Sequence, residues 1–305
     1  MCRVVAYLGH PTSPETFLYE TDNSLVVQAH LPQMTRSLNL AGFGMVAWGD
    51  GSLHPDEPFI YRSTSLPVYD RNLRNLARKI EARCLIAHVR GAMLSQESIV
   101  TEQNLHPFRF PGARVTLAHN GHLREFSKMR IGLAEHVRPE LAIEITGTTD
   151  TEWLYAVVLS QLADPWAEPE LDELVEAIEK TLVVVRQVRD QHGIDTSSPV
   201  NLFATTGSYL VATRFTFDYG WYPPDDPYLE IDLPYTSLWY TFGDRWAEHG
   251  DTWKMVGDGP AGSFLIASEP LTRNTSTWLE VPEYSVLTAA VRDGAVEITS
   301  RELDV

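Results

Sequence analysis

The chain has 305 residues, of which 44% are hydrophobic, 10% aromatic and 21% charged, a composition that excludes disordered, collagen-like and fibrous classes and supplies enough apolar surface for a sizeable core. Its 24 lysines and arginines against 41 aspartates and glutamates leave a formal net charge of −17, a field that repels phosphate backbones and anionic lipid, so neither nucleic acid nor a membrane is expected as a partner. Two cysteines, Cys2 and Cys84, are too few for a disulfide framework and fit a reducing compartment, the cytoplasm, and no apolar run reads as a signal peptide or a spanning segment.

Val4, Val5, Tyr7 and Leu8 predict a strand that begins almost at the terminus and is closed by a turn at Gly9-His10-Pro11. Residues 40–48, with two glycines among apolar and aromatic neighbours, read as a central strand entered through a close backbone approach. Leu73, Leu76, Ala77 and Ile80 have helical spacing, and the apolar run from Cys84 to Val89 reads as a buried strand ended by Arg90 and Gly91. Residues 115–118 predict a further strand, followed at Asn120-Gly121 by a turn signal. Thr149-Asp150 opens a helix through Leu162, and an acidic helix spans roughly 168–190. From Val200 onward the short apolar runs at 200–205, 209–215, 263–267, 284–290 and 295–299 predict β-structure. The segment 217–253 between them is dense in Trp, Tyr, Pro and Asp and reads as an ordered excursion. No repeat, low-complexity tract or boundary divides the chain, so a single domain over residues 1–305 is expected.

Cys2 stands out chemically. Removal of Met1 puts a thiol and a free α-amine on one residue, and an amine with a reference pKa near ~8 can shuttle a proton at neutral pH. The plain alternative is a buried strand cysteine. Arg90, at the end of a strand, carries the planar fork that holds a carboxylate, or else forms a structural ion pair. Asn120 and Gly121 offer a side-chain amide and a backbone N–H, the two donors an oxyanion needs, or else a hairpin turn. Asp150 can grip an ammonium or simply cap its helix. Together these groups suit a substrate with an amino-acid head and a scissile amide at the far end of its side chain, such as glutamine or a γ-glutamyl amide. Cys84 reads as core, and His88, His106 and His119 as structural hydrogen-bonders lacking metal-ligand spacing.

Met1-Cys2-Arg3, Ala87-His88-Val89-Arg90, Asn104-Leu105-His106-Pro107-Phe108, Ala118-His119-Asn120-Gly121-His122-Leu123 and Thr149-Asp150-Thr151-Glu152 resemble, in that order, the motifs of the class II glutamine amidotransferases, members of the N-terminal nucleophile (Ntn) hydrolases. Asn201-Leu202-Phe203, Ser237-Leu238-Trp239-Tyr240 and the run from Ile266 to Thr272, followed by Trp278 and Pro282, are similar to the small stand-alone branch, which includes relatives acting in ergothioneine synthesis or glutathione breakdown. The likeness covers nearly the whole chain and is weakest at 50–70, 163–198 and 215–235. It implies an α+β fold, the four-layer αββα sandwich, with Cys2 as nucleophile, Asn120 and Gly121 as oxyanion hole, Arg90 and Asp150 as clamps for the substrate's α-carboxylate and α-amine, and neither metal nor cofactor. Larger members carry a threonine three residues after the arginine where this chain has Met93, and Ser95 or Ser98 is the candidate substitute.

The activity this implies is hydrolysis of the γ-amide of glutamine or a γ-glutamyl compound through a Cys2 thioester, with release of glutamate. One alternative is a glutaminase subunit delivering ammonia to a partner synthase, or working beside a peptidase chain. Others are an inactive γ-glutamyl-binding protein and an N-terminal-cysteine hydrolase of penicillins or bile-salt conjugates.

Overall fold

The computed structural model describes residues 2–34, 38–91, 100–220 and 237–305. β1 (Arg3–Thr12) leads through a π-helical turn (Thr16–Glu20) to α1 (Leu25–His30), β2 (Phe43–Trp48), β3 (Phe59–Ser63), α2 (Arg71–Ala77) and β4 (Ala82–Val89). A short 3-10 turn precedes β5 (Thr116–Gly121), and then come α3 (Phe126–Ala134), α4 (Pro139–Ala142), α5 (Asp150–Gln161) and α6 (Leu171–Gln191). The remainder is β6 (Ser198–Thr205), β7 (Tyr209–Arg214), β8 (Thr216–Phe217), β9 (Trp239–Gly243), β10 (Arg245–His249), β11 (Thr252–Val256), β12 (Ser263–Ala267), β13 (Leu279–Glu280), β14 (Ser285–Arg292) and β15 (Ala295–Glu302).

Among the described residues the strands form a seven-stranded sheet, β13-β9-β12-β1-β4-β2-β3, and a six-stranded one, β15-β14-β7-β6-β5 with β8 also paired to β6, while β10 and β11 pair separately. The pairings are antiparallel, so the chain is a mixed α/β protein built on antiparallel sheets. β1 lies between β12 and β4, which explains why its residues are apolar on both faces: a strand flanked on both sides and covered on both faces has no polar side to show.

Successive side chains of a strand point to opposite faces, and here the two faces feed different cores. Val4, Ala6 and Leu8 of β1 share a buried cluster with Ala118 of β5, Phe203 of β6 and Ala212 of β7, so the two sheets pack face to face. Val5 and Tyr7 instead pack with Phe17, Leu25 and Leu73 from the helical segments that follow β1 and β3. On the six-stranded sheet, Leu117 and Leu202 pack with Leu154 of α5 and with Leu182 and Val185 of α6. α6 opens on a reciprocal capping box between Glu170 and Glu173, which satisfies N–H groups that a helix start otherwise leaves orphaned.

Three features differ from the sequence expectation. β1 does not stop at Gly9-His10-Pro11: it runs to Thr12 through a register shift between Leu8 and Thr12. Gly9 sits there at φ 152°, where a Cβ would meet the Gly262 carbonyl at 2.5 Å, so the glycine marks a close crossing and not a strand end. Asn120-Gly121 is no turn either, since both residues lie in β5, paired with Asn201 and Val200 of β6. The aromatic stretch after residue 236 is ordered as β9, β10 and β11, with Trp246 and Trp253 stacked at 6.3 Å. Met93, Ser95, Ser98 and most of the acidic run from Asp218 to Asp232 lie outside the described residues.

Candidate active site

β1 presents Cys2 to the space between the sheets, because Cys2 has the same parity as Val4 and Ala6. It is 7% exposed. Its Sγ lies 3.4 Å from Gly91 N, which donates to it, and 3.7 Å from Gly91 O. Gly91 directly follows Arg90 at the end of β4, and Arg3 pairs with Val89 across the two strands, so strand register alone brings the thiol beside Arg90.

Arg90 shares the parity of Ile86 and His88 and faces the same space. Its backbone continues the sheet, with Arg90 N donating to Gly42 O at 2.9 Å and Arg90 O accepting from Ala41 N at 2.9 Å. Burial lowers the guanidinium from its ordinary range, while Cys2 and Asp150 act in the opposite direction. That balance means that the charge lies within electrostatic reach of both groups.

Asp150 is the first helical residue of α5, and Thr149 is the cap, its side chain accepting from Glu152 N at 3.3 Å. Asp150 is thus freed from the capping role. Its Oδ2 accepts from Leu123 N at 2.7 Å and lies 3.4 Å from His122 Nδ1, and its Oδ1 accepts from Thr151 N at 2.8 Å and from the Thr151 hydroxyl at 3.3 Å. Burial pushes the carboxyl upward, but the His122 contact, the nearby charges of His119 and His122 and the Leu123 N–H outweigh it and hold the group well below the usual carboxylate range. It is a carboxylate at any physiological pH.

β5 carries the remaining pair. Asn120 has the parity of Ala118 and points between the sheets, where its Nδ2 donates to Ser268 Oγ at 3.0 Å. Ser268 Oγ also accepts from Val4 N at 3.0 Å, so the amide is bound to the strand that bears Cys2. At Gly121 a Cβ would come within 1.9 Å of Pro199 O, so only glycine fits. Backbone hydrogen bonds alternate sides along an antiparallel strand. His122 N donates to Pro199 O of β6 at 3.0 Å, whereas Leu117 N donates to Phe108 O on the other side at 3.0 Å. Gly121 has the parity of Leu117, so its N–H is directed to the side of β5 away from β6. A side-chain amide and a backbone N–H thus belong to adjacent residues at the end of one strand, the two kinds of donor that stabilisation of an oxyanion uses.

The histidines divide. His119 is buried on the helix side of β5, with Nδ1 3.0 Å from the Thr151 hydroxyl and Nε2 3.3 Å from Pro199 O, and it is structural as expected. His88 and His106 pack against each other, their rings 4.2 Å apart at 45°; the His106 ring nitrogens have no hydrogen-bond partner among the described residues, and His88 has at most backbone contacts at His119 and at itself. Burial pushes His88 down to about 3, with the Arg90 charge acting in the same direction, so the ring is neutral. Cys84 is fully buried beside the Thr205 hydroxyl at 3.4 Å, and burial pushes its thiol up to about 12, as a core residue requires. Among the described residues no group of three or more His, Cys, Asp or Glu is placed to hold a metal ion. No helix among them is long and apolar enough to cross a membrane.

Two residues stand within the motifs quoted above, but their contacts are not legible from sequence. Ser268 reads as a polar residue after an apolar run, and only the pairing of β1 with β12 brings it to Asn120. His122 reads as part of a loop, and only the approach of α5 to the end of β5 sets it against Asp150. A cavity of about 380 Å³ between α6 and the β14–β15 hairpin, bordered by the Arg301–Glu179 pair, lies apart from these groups.

A family model of the class-II glutamine amidotransferases matches residues 61–233. The probable glutamine amidotransferase DUG3 of Saccharomyces cerevisiae is 26% identical over 305 residues, spanning 94% of this chain and 81% of that protein. The gamma-glutamyl-hercynylcysteine sulfoxide hydrolase of Mycolicibacterium smegmatis is 26% identical over 217 residues, 70% of this chain and 79% of that one. Among solved structures, the glutamine aminotransferase class-II domain protein from Silicibacter pomeroyi matches with a TM-score of 0.62 at 19% identity over 100% of both chains. The glutamine phosphoribosylpyrophosphate amidotransferase from B. subtilis matches with a TM-score of 0.55 at 17% identity over all of this chain and 50% of that one.

Proposed function

Since the chain belongs to the class II glutamine amidotransferases, we propose that it is a cysteine amidohydrolase that cuts the γ-amide of glutamine or of a γ-glutamyl compound and releases glutamate. Residues 1–305 act as one domain, and the three buried clusters support reading it as the αββα sandwich of the N-terminal nucleophile hydrolases. The observation that carries the proposal is the register of β1 against β4, which sets Cys2 beside Arg90 with Gly91 N 3.4 Å from the thiol. A cation beside the thiol and a carboxylate within its electrostatic reach are what an amino-acid head needs at both of its charges.

In this reading Arg90 holds the substrate α-carboxylate and Asp150 its α-ammonium. With Met1 removed, the Cys2 α-amine takes the thiol proton as sulfur attacks the γ-carbonyl carbon. The S–C bond forms, the carbonyl electron pair moves to oxygen, and the oxyanion is held by Asn120 Nδ2 and Gly121 N. Collapse breaks the C–N bond, and the α-ammonium gives its proton to the leaving amine. Water then attacks the thioester, the α-amine takes its proton, and glutamate leaves as the proton returns to sulfur. The mycobacterial relative is named for cleavage of a γ-glutamyl compound, which favours hydrolysis over ammonia delivery to a partner synthase. The acceptable leaving amines are set by loop shape and not by these groups.

Glutamate release from a panel of γ-glutamyl compounds by the purified chain alone is the test. At least one compound is expected to be cut, with the intact mass beginning at Cys2 and with Cys2→Ala inactive yet still binding. Turnover of the whole panel only after a second protein is added supports the synthase-subunit alternative instead. Full activity with Met1 retained overturns the self-base step.

A further inference from the structure

The end of β12 holds both halves of the candidate site. Its even residues, Phe264 and Ile266, face the space between the sheets and its odd residue Leu265 faces the other core, so Ser268 points inward and Glu269 outward. Ser268 binds Val4 twice, its N donating to Val4 O at 2.9 Å and its Oγ accepting from Val4 N at 3.0 Å. The second lone pair of the same oxygen accepts Asn120 Nδ2 at 3.0 Å, which uses all the acceptor capacity a hydroxyl has. One residue therefore clamps the strand of the nucleophile and the carboxamide of the opposite sheet. Because a carboxamide is planar, holding one Nδ2 hydrogen on Ser268 fixes the direction of the other.

Glu269 works on the other side of β1. It is 1% exposed, its Oε1 accepts Asn23 Nδ2 at 3.0 Å and Gln33 N at 2.6 Å, its Oε2 accepts Met34 N at 3.1 Å, and Arg3 Nε stands 3.5 Å away. Arg3 in turn donates Nη1 to Cys2 O at 2.9 Å. A residue at the very start of a strand frays unless something ties it down, and this contact ties the peptide of Cys2 to a buried carboxylate.

We propose that Ser268 and Glu269 are the positioning residues of the site: Ser268 aims the Asn120 amide, and Glu269, through Arg3, holds Cys2 in place, so that two adjacent residues register nucleophile and oxyanion donor against each other. This rests on the roles given above to Cys2 and Asn120. Neither residue touches the reacting atoms.

The two arms have different signatures. Ser268→Ala is expected to lower kcat about 10- to 100-fold, less than or comparable to outright loss of an oxyanion donor, with KM within about threefold, while Ser268→Thr restores most of the rate. Alkylation of Cys2 by iodoacetamide, located by peptide mass spectrometry, needs no oxyanion donor, and in Ser268→Ala, which keeps the bond from Ser268 N to Val4 O, it should change far less than in Arg3→Lys. Arg3→Lys keeps a cation for Glu269 but cannot keep the fork that reaches Cys2 O. It should alkylate several-fold faster at Cys2 while its kcat falls, the mark of a loosened nucleophile, and it serves in place of Glu269→Gln where that buried change prevents folding. Wild-type kcat in Ser268→Ala, or an equal change in KM, overturns the first arm, and an unchanged alkylation rate in Arg3→Lys overturns the second. Alkylation is read without any substrate, so a chain that cuts no γ-glutamyl compound refutes the activity proposed above and leaves the Arg3 arm decided on its own.

Discussion

The carboxylate of Asp150 meets Leu123 N, Thr151 N, the Thr151 hydroxyl and His122 Nδ1, about as many donors as two oxygens accept. A substrate ammonium must therefore displace one of them. The two backbone groups and the buried threonine cannot leave, but His122 is 57% exposed and can swing into water. We expect His122→Ala to lower KM for α-amino γ-glutamyl compounds several-fold, and to leave des-amino analogues unaffected. Asp150→Asn should lose about 30-fold or more in kcat/KM, as removal of one partner from a buried charge-assisted contact costs roughly 2–5 kcal/mol, and should lose it only toward substrates that carry the amine. Steady-state kinetics on the paired compounds decides both. Equal effects on amino and des-amino compounds would remove the ammonium from the Asp150 site.

Elements whose pattern is local were legible before any coordinates. The apolar run at Cys84–Val89 is β4, the Thr149 cap opens α5, and the acidic helix expected over roughly 168–190 is α6, since such patterns and capping depend only on near neighbours. Gly9 and Gly121 were misread because glycine serves two purposes, a positive-φ turn or a close approach by distant backbone, and only the partner strand tells which. The site followed the same division. Residue types and their order pointed to Cys2, Arg90, Asn120, Gly121 and Asp150 as candidates, while the contacts of Ser268 and His122, which stand inside matching motifs, depend on long-range pairing that a window of sequence does not show. Arg189 shows what such pairing supports. It is 1% exposed near the end of α6 and donates to Ser198 Oγ at 2.7 Å, Thr196 O at 2.5 Å and Asp218 at 2.8 Å. Ser198 Oγ also accepts Arg124 N at 3.1 Å, linking the helix to the segment just past Asn120-Gly121. Arg189→Met is expected to lower unfolding free energy by about 3 kcal/mol, the scale of breaking a buried charged network, with a smaller effect on kcat. An unchanged urea midpoint would show that α6 does not depend on this anchor.

On the scale of the whole molecule, three fully buried histidines set the response to acid. Burial lowers His88 to about 3, His106 well below its ordinary value and His119 below it too, the charges of neighbouring groups modifying each. In the unfolded chain they titrate near ~6.5. As pH falls below that value the unfolded state takes up protons that the folded state refuses, so stability is full above ~6.5 and is lost progressively toward ~3, at up to ~1.4 kcal/mol per pH unit per histidine. The loss should begin about two units above the carboxylate range, before protonation relieves any of the −17 net charge. Urea midpoints at pH 7.5, 6 and 5 are expected to fall steadily, and His106→Leu, whose ring has no hydrogen bond to forfeit among the described residues, should flatten the decline. A midpoint constant from pH 7.5 to 5 contradicts the assignment.

The place of β1 in its sheet bears on the order in which the molecule is made. Its neighbours are β4 and β12, and Val4 is held by Ser268, 264 positions away in the chain. β1 therefore waits for a strand about 260 positions later before it can be seated, and closing so long a loop is slow. Until β12 has been made, β1 lacks that neighbour, and the apolar residues on its two faces wait for part of their cover. The step that completes this side of the sheet is thus timed by the synthesis of residues 263–268 and not by that of β1 itself.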